Sequence, residues 1–173
     1  MHKTPSPEVI PGSQAILDEC LGFRMELPPN FLDNPQPQPP NMLYSFVRLE
    51  SAEPVFAINV ERLGGRLPQG ALGSEFYAAM RRSLPPGAEI ERVVLPWKGH
   101  QLDVFGVRFS MGGGAVCAWS VQVPLAKEAI QISVGGPADC SAACRELLGT
   151  VLSSVQGISN WDAPSSRASS RSS

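Results

Sequence analysis

The sequence predicts an α+β fold, in which a central antiparallel sheet of six to seven strands is flanked by two or three helices as an α/β/α sandwich. Four strand-like segments follow one another between residues 88 and 135, joined by links of two or three residues. Links this short force neighbouring strands to run antiparallel, because parallel strands need a long crossover. Two further segments, about 74–84 and 139–156, have helical periodicity. Because neither of the two longest strand segments has a wholly polar face, we expect cover on both sides of the sheet.

The composition fits one folded domain. The chain has 173 residues, of which 43% are hydrophobic and 17% charged, and this balance argues against general disorder. We expect a flexible arm over 1–12, a single domain over 13–161 and a disordered Ser/Arg tail over 162–173.

Charge and hydropathy exclude several classes of partner. A net charge of −2 provides no electrostatic footprint for nucleic acid. No apolar run reaches the ~18 residues of a membrane-spanning helix, so we expect no membrane insertion. The first eleven residues, MHKTPSPEVIP, lack the apolar core of a secretion signal. If no export leader has been removed, these features predict a cytoplasmic location.

The first half of the chain contains three strands and a stiff loop. Residues 22–27 alternate apolar and charged side chains, which predicts a half-buried strand. Residues 28–41 include six prolines and are expected to form an extended loop, neither a helix nor a central strand. Residues 42–50 and 55–62 are predicted strands, and the short SAEP between them suits a hairpin.

The first predicted helix covers residues 74–84. Ser74 can cap its N-terminus. Phe76, Tyr77, Met80 and Leu84 then fall on one face. The prolines and glycine of residues 85–87 end the helix.

Four strands follow, over 88–97, 100–111, 114–125 and 129–135. The glycines at 112–114 predict a hairpin bend and not a phosphate-binding loop, because a strand follows them instead of a helix.

The last helix begins at Asp139 or Ser141, either of which can cap it, and ends near Gly157 as a C′ glycine. Its apolar face is a stripe, made of Cys140, Cys144, Leu147, Leu148, Val151, Leu152 and Val155.

The order of these segments resembles the Mog/PsbP-like superfamily. The similarity lies in LPPNF after a strand, VLPWKGHQLDVFGVRF joining two strands, and VQVPLAKEAIQISVGGP before a helix that ends near GISNW. The similarity covers about residues 20–161. Within the superfamily, which includes the Ran-release factor Mog and the photosystem II subunit PsbP, the chain resembles the uncharacterised bacterial branch. The resemblance implies a sheet between helices and a mostly non-enzymatic role in binding macromolecules. The Ran-binding surface and the lumenal targeting of those relatives are not matched.

The turn between the strands 88–97 and 100–111 holds the only histidine outside the arm. We expect Trp97 to cover the end of the sheet, and Lys98 and His100 to face water. His100 and Asp103 are three residues apart, so on a regular strand they point to opposite faces. A nucleophile at Ser110 would lie about 33 Å away. The residues therefore predict no catalytic set.

The remaining chemical candidates also favour structural roles. Cys20, Cys117, Cys140 and Cys144 form no CxxC motif, and we interpret them as free cysteines, mostly buried hydrophobes, not as metal ligands. The carboxylates are scattered and suggest no acid–base pair. We therefore expect no cofactor and no metal.

Three hypotheses about function remain. The first is a non-enzymatic domain that binds another protein, with Pro37 in the stretch NPQPQPP, Trp97, Lys98, His100 and Trp161 as possible contacts. The second is a small-ligand or lipid-binding domain with a pocket between the sheet and a helix. The third is a hydrolase that uses His100. The partner and the oligomeric state are not predicted.

Overall fold

A computed structural model describes residues 14–50, 53–63, 72–126 and 128–157. The predicted arm over 1–12, the predicted tail over 162–173 and Trp161 lie outside the described residues. Within the described ranges, neither helix is long and apolar enough to cross a bilayer.

The described residues form ten strands and two α-helices. In chain order these are β1 (Gln14–Asp18), β2 (Phe23–Leu27), β3 (Leu32–Asp33), β4 (Met42–Glu50), β5 (Glu53–Arg62), α1 (Leu72–Ser83), β6 (Glu89–Trp97), β7 (His100–Met111), β8 (Gly114–Pro124), β9 (Ala129–Pro137), α2 (Ser141–Ser154) and β10 (Gln156–Gly157). A 3₁₀ turn, Ala138–Cys140, joins β9 to α2.

The fold is α+β, built on a seven-stranded sheet with the order β3-β4-β5-β9-β8-β7-β6. All neighbouring strands in it are antiparallel, and for β6 to β9 this is what the short links predicted. The glycine-rich stretch between β7 and β8 is a hairpin bend, in which Gly112 has a φ of 63°. Met111 pairs with Gly114 across it.

The strand over residues 22–27 does not belong to this sheet. It is β2, which lies between β1 and β10 in a separate three-stranded sheet. The seventh place in the large sheet is taken by β3, a two-residue edge strand inside the proline-rich loop. Alternating polarity predicts that a strand has one buried face, but it does not specify which strand pairs with it.

Both helices differ from their predicted ends. α1 begins at Leu72, so Ser74 lies inside the helix and not at its N-cap. α2 stops at Ser154 because Val155 is extended, and Gly157 is not its C′ residue but pairs with Phe23 in β10. Cys140 occupies the N-cap of α2 and makes no side-chain capping bond, so neither predicted cap is used.

The core lies between one face of the large sheet and a second layer made of α2 and the small sheet. Helix α2 contributes Cys144, Leu148, Val151 and Leu152, all buried as the stripe predicted. Close approach of this layer depends on Gly136, where a Cβ would lie 2.9 Å from the Phe56 ring and 3.0 Å from the sulfur of Cys144.

The opposite face of the sheet carries α1. The ring centroids of Tyr77 on α1 and Phe105 on β7 are 6.1 Å apart. Phe105 points away from its strand neighbour Val104, which faces α2. The two described helices therefore lie on opposite faces of the sheet, as a sandwich requires.

Candidate functional site

The β6–β7 turn holds three of the five predicted partner-binding residues. Lys98 and Gly99 have φ values of 45° and 78°, which fit a two-residue type I′ hairpin. Trp97 and His100 close it, with ring centroids 6.2 Å apart. Trp97 is buried and Lys98 is exposed, in line with the prediction. His100 is half-buried against the indole ring, and its Nε2 atom is buried without a hydrogen bond to any described residue. The prediction that His100 faces water is therefore wrong for this atom.

His100 and Asp103 do not form a pair. Nε and Nη2 of Arg92 donate to Oδ1 of Asp103 at 2.9 and 2.6 Å. Because Asp103 is an odd number of residues from His100 along β7, it lies on the other face of the strand. The acid closest to His100 in sequence is therefore bound to Arg92.

The other predicted contacts are not at this turn. Pro37 is exposed in the loop between β3 and β4. β3 and β6 are the two edges of the seven-stranded sheet, and six strand spacings separate them by about 29 Å. The structure therefore does not bring Pro37 together with Trp97 and His100, while Trp161 lies outside the described residues.

A cleft opens between α2 and the β6 edge of the sheet, and we call it the α2–β6 cleft. It has a volume of about 560 Å³; Leu95, Arg108 and Trp119 line it from the sheet, and Ser141, Arg145 and Glu146 line it from the helix. A smaller pocket of about 230 Å³ shares Arg108, Trp119 and Ser141 and extends the cleft toward Glu89. The cleft exists because α2 packs mainly over β8 and β9 and leaves most of β6 uncovered.

Trp119 forms the floor of the cleft and is held from three sides. Its ring lies so close to β7 that a Cβ on Gly106 would come within 2.6 Å of it. Its Nε1–H donates to Oγ of Ser141 at 3.0 Å. The guanidinium of Arg145 lies 5.5 Å from the ring centroid, within range of a cation–π contact. The indole is thus 3% exposed and fixed in orientation.

The walls of the cleft carry both signs of charge. Arg108 and Arg145 are exposed, and within the described ranges neither forms an ion pair. Arg108 donates to the carbonyl of Ala138, at 3.3 Å. Glu91 and Glu146 also line the cleft and are exposed. An apolar floor with cationic and anionic walls suits a ligand that combines a ring or aliphatic group with charged groups.

β6 is an open edge in the part of the chain that the structure describes, since only β7 pairs with it. Trp97 and His100 flank a two-residue turn, so their backbone N–H and C=O groups bond to each other. Along β6 from Trp97, the backbone groups of successive residues then point alternately toward β7 and away from it. By this alternation the backbone groups of Ile90, Arg92, Val94 and Pro96 point outward. Proline is tolerated at 96 because its missing N–H would have pointed outward.

A buried thiol pair lies close to the cleft. The sulfur atoms of Cys117 on β8 and Cys144 on α2 are 3.8 Å apart, and both cysteines are free. Burial, then the neighbouring Cys117, raises the pKa of Cys144 to about 12. In the described segments no group of three or more metal-ligating side chains occurs.

Two polar pairs tie the sheets and loops together. The hydroxyl of Tyr44 donates to Oδ2 of Asp18 at 2.9 Å, linking the large sheet to the small one, and burial and this bond raise the pKa of Tyr44 to about 12. Arg62 binds both carboxylate oxygens of Glu128 at 2.7 and 2.8 Å. Glu128 is 8% exposed, so this buried acid is neutralised by its partner.

A pocket between sheet and helix was among the hypotheses that the sequence allowed, but none of the residues that form the α2–β6 cleft were predicted from it. They come from β6, β7, β8 and α2, which lie far apart in the chain. One local signal was available, because an isolated glycine inside a strand, here Gly106, often marks close approach of another group.

Comparisons with known proteins identify the fold. No family model matches the chain, and no curated protein matches it. Among solved structures, it is similar to the cyanobacterial PsbP (CyanoP) of Synechocystis sp. PCC 6803, with a TM-score of 0.61 and 14% identity over 91% of this chain and 99% of that one.

Two other structures are similar. One is a crystal structure from Bacteroides thetaiotaomicron VPI-5482, with a TM-score of 0.58 and 11% identity. The match covers 86% of this chain and 50% of that one, so this chain spans about half the length of that protein. The other is LpqN of Mycobacterium tuberculosis, described as involved in cell envelope biogenesis, with a TM-score of 0.44 and 16% identity over 90% of both chains. The first two similarities show a PsbP-like fold.

Proposed function

We propose that this chain is a non-enzymatic accessory domain that binds another protein by accepting an extended segment of its partner along the outer edge of β6. We also propose that the chain belongs to the Mog/PsbP-like superfamily and that it is located in the cytoplasm. The PsbP-like fold supports an accessory role. The observation that carries the proposal is the nine-residue edge strand bordering the α2–β6 cleft.

The two edges of the sheet differ in a way that favours β6. At one edge β3 has two residues and is followed by the proline-rich loop, a typical way of protecting an edge from strand addition. β6 is long and presents the outward backbone groups of Ile90, Arg92 and Val94. An added strand would make main-chain hydrogen bonds there.

The cleft would supply specificity to that strand. Glu91 and Leu95 of β6 line the cleft. Alternate side chains of an added strand would point to the same face. There they would meet Arg108, Arg145 and the acidic side chains of the walls. The mixed charges favour a partner segment that also alternates apolar and charged residues.

The test uses Val94, which is 51% exposed and whose N–H points outward. Val94→Pro removes that donor without breaking the β6–β7 pairing, and Val94→Ala is the matched control because it keeps the N–H. A random peptide library displayed on phage is selected on the wild-type protein, and enriched peptides are then measured on both variants.

We expect extended peptides whose affinity falls at least tenfold on Val94→Pro and changes little on Val94→Ala. Equal circular dichroism spectra and thermal midpoints for the two variants establish that both fold. Failure to enrich any peptide, or equal binding to both variants, would contradict the proposal. Source-cell lysate passed over the same proteins then identifies the natural partner as a band retained by wild type and Val94→Ala and lost from Val94→Pro.

The cleft itself favours a second function, the binding of a small amphiphilic anion. Its indole floor carries this candidate together with Arg108 and Arg145, which form no ion pair with any residue that the structure describes. The probe is 8-anilinonaphthalene-1-sulfonate, which joins an aromatic system to one negative charge. We expect saturable fluorescence enhancement that Arg145→Ala weakens severalfold and that Arg92→Ala, outside the cleft, leaves unchanged. Equal enhancement with both variants would exclude the cleft as the binding site.

A further inference from the structure

We propose that Cys117 and Cys144 form a disulfide under oxidising conditions, which would link strand β8 covalently to helix α2. The two sulfur atoms are 3.8 Å apart. Cys117 is 2% exposed and Cys144 is fully buried. This inference does not depend on the proposed function.

The packing around the pair brings the two elements close enough for a bond. A disulfide bond is about 2.0 Å long, so the two sulfur atoms must approach each other by about 1.8 Å. Gly136 lies beside the pair, and a Cβ there would come within 3.0 Å of the Cys144 sulfur. The glycine therefore allows the helix to approach the sheet at the site of the thiols.

The same geometry selects this pair among the four cysteines. Cys20 is exposed next to β1, in the small sheet. Cys140 is half-buried in the 3₁₀ turn, one helical turn before Cys144. The sulfur of Cys117 is in contact with that of Cys144 and also lies 3.3 Å from the carbonyl oxygen of Pro137. Because the sulfur atoms of Cys117 and Cys144 are already in contact, this is the pair that we expect to join the sheet to the helix.

The oxidant is a low-molecular-weight disulfide such as glutathione disulfide. One protein thiolate attacks it and releases one glutathione; the second protein thiolate then attacks the mixed disulfide and releases the other. The two thiol protons end on the two glutathione molecules, so the protein loses two electrons and the oxidant gains them.

Burial controls when this reaction occurs. Because burial raises the pKa of Cys144 to about 12, very little thiolate exists at neutral pH in the folded protein. Exchange should therefore be slow in the folded state and faster while the chain folds. A reducing cytoplasm would keep the pair as two thiols, and an oxidising environment would close it.

The test is refolding of the full, reduced chain in a buffer of reduced and oxidised glutathione. We expect the number of titratable thiols to fall from four to two, the mass to fall by about 2 Da for the two hydrogens lost, and a proteolytic map to recover the Cys117–Cys144 link. Because the closed loop spans residues 117–144, the thermal midpoint should rise by roughly 5–15 °C relative to the reduced protein.

Single serine substitutions provide the controls. Cys117→Ser and Cys144→Ser should each abolish the midpoint increase, whereas Cys20→Ser and Cys140→Ser should retain it. Four titratable thiols after refolding, a link that involves Cys20 or Cys140, or a midpoint that does not rise on oxidation would overturn the proposal. Loss of peptide binding by Val94→Pro is measured separately, in the reduced protein, so failure of one proposal leaves the other intact.

Discussion

The position of the Trp119 ring against β7 can be tested by adding a single methyl group at Gly106. An alanine Cβ at this position would lie 2.6, 2.7 and 2.7 Å from the Cζ2, Cε2 and Cη2 atoms of the indole. Real Cβ contacts are not this short, so either the ring or the strand must move. Because Trp119 is also held by Ser141 and Arg145, the ring cannot move without losing those contacts.

The expected change in stability follows from two opposing effects. Overpacking a well-packed site costs about 1–3 kcal/mol. Replacing a strand glycine by alanine returns about 0.5–1 kcal/mol, because the unfolded chain has less backbone entropy to lose. We therefore expect Gly106→Ala to lower the free energy of unfolding by up to about 2.5 kcal/mol, measured by urea denaturation.

A second strand glycine supplies the matched control. At Gly135 in β9 a Cβ would lie 3.4 Å from the Cys117 carbonyl oxygen and 4.0 Å from the Ala118 Cβ, which are ordinary contacts. Gly135→Ala should therefore leave stability unchanged or slightly raised. If Gly106→Ala is as stable as Gly135→Ala, Trp119 does not lie where the structure places it.

A double-mutant cycle separates the steric effect from a general effect on β7. Trp119→Phe removes the second fused ring, so Gly106→Ala should be less destabilising in that background than in the wild type. An identical loss of stability in both backgrounds would refute the steric explanation and would mean that the indole does not form the floor of the cleft.

Three further predictions concern the core and the polar pairs. The pKa of Tyr44 is about 12, above the ordinary value of 10, so its hydroxyl stays protonated in the folded state at pH values where the unfolded state has ionised. The free energy of unfolding should therefore fall between pH 10 and 12, and denaturation across this range should show a smaller fall for Tyr44→Phe. An equal fall in the variant and the wild type would contradict this prediction. Leu148 is fully buried, so Leu148→Ala should destabilise the protein by about 2–5 kcal/mol. Gly149→Ala is the control on the same helix: because no atom lies near the added Cβ, it should stabilise the helix by about 0.5–1 kcal/mol. Arg62→Met leaves the buried Glu128 carboxylate without this partner and should lower the thermal midpoint. Adding Glu128→Gln to that variant should restore part of the lost midpoint. An unchanged midpoint in Arg62→Met would contradict the prediction.

Local patterns were sufficient for most of the large sheet. The links at Lys98–Gly99 and Gly112–Gly113 are too short for a crossover, so they require antiparallel neighbours whatever the rest of the chain does. The stripe through Cys144, Leu148 and Val151 likewise identified the buried face of the last helix. These predictions succeeded because each depends on residues within a few positions of one another.

The two main errors have different physical origins. His100 was expected in water, but the pairing across the turn stacks it on Trp97. Gly157 was expected to end α2, but it pairs with β2 more than 130 residues earlier in the chain. The first error overlooked a contact between residues three positions apart, and the second was decided by a tertiary contact that no local pattern contains.

By itself, the sequence determined the α+β class, the antiparallel order of β6 to β9 and the face of α2 that is buried. The tertiary structure alone decided that β2 belongs to a second sheet, that Cys117 meets Cys144, and that α2 leaves a cleft beside the open edge of β6. The periodicity of a segment specifies which of its faces is buried. Which elements cover that face, and where they leave space, depends on packing among segments far apart in the chain, and a local pattern contains no information about those distances.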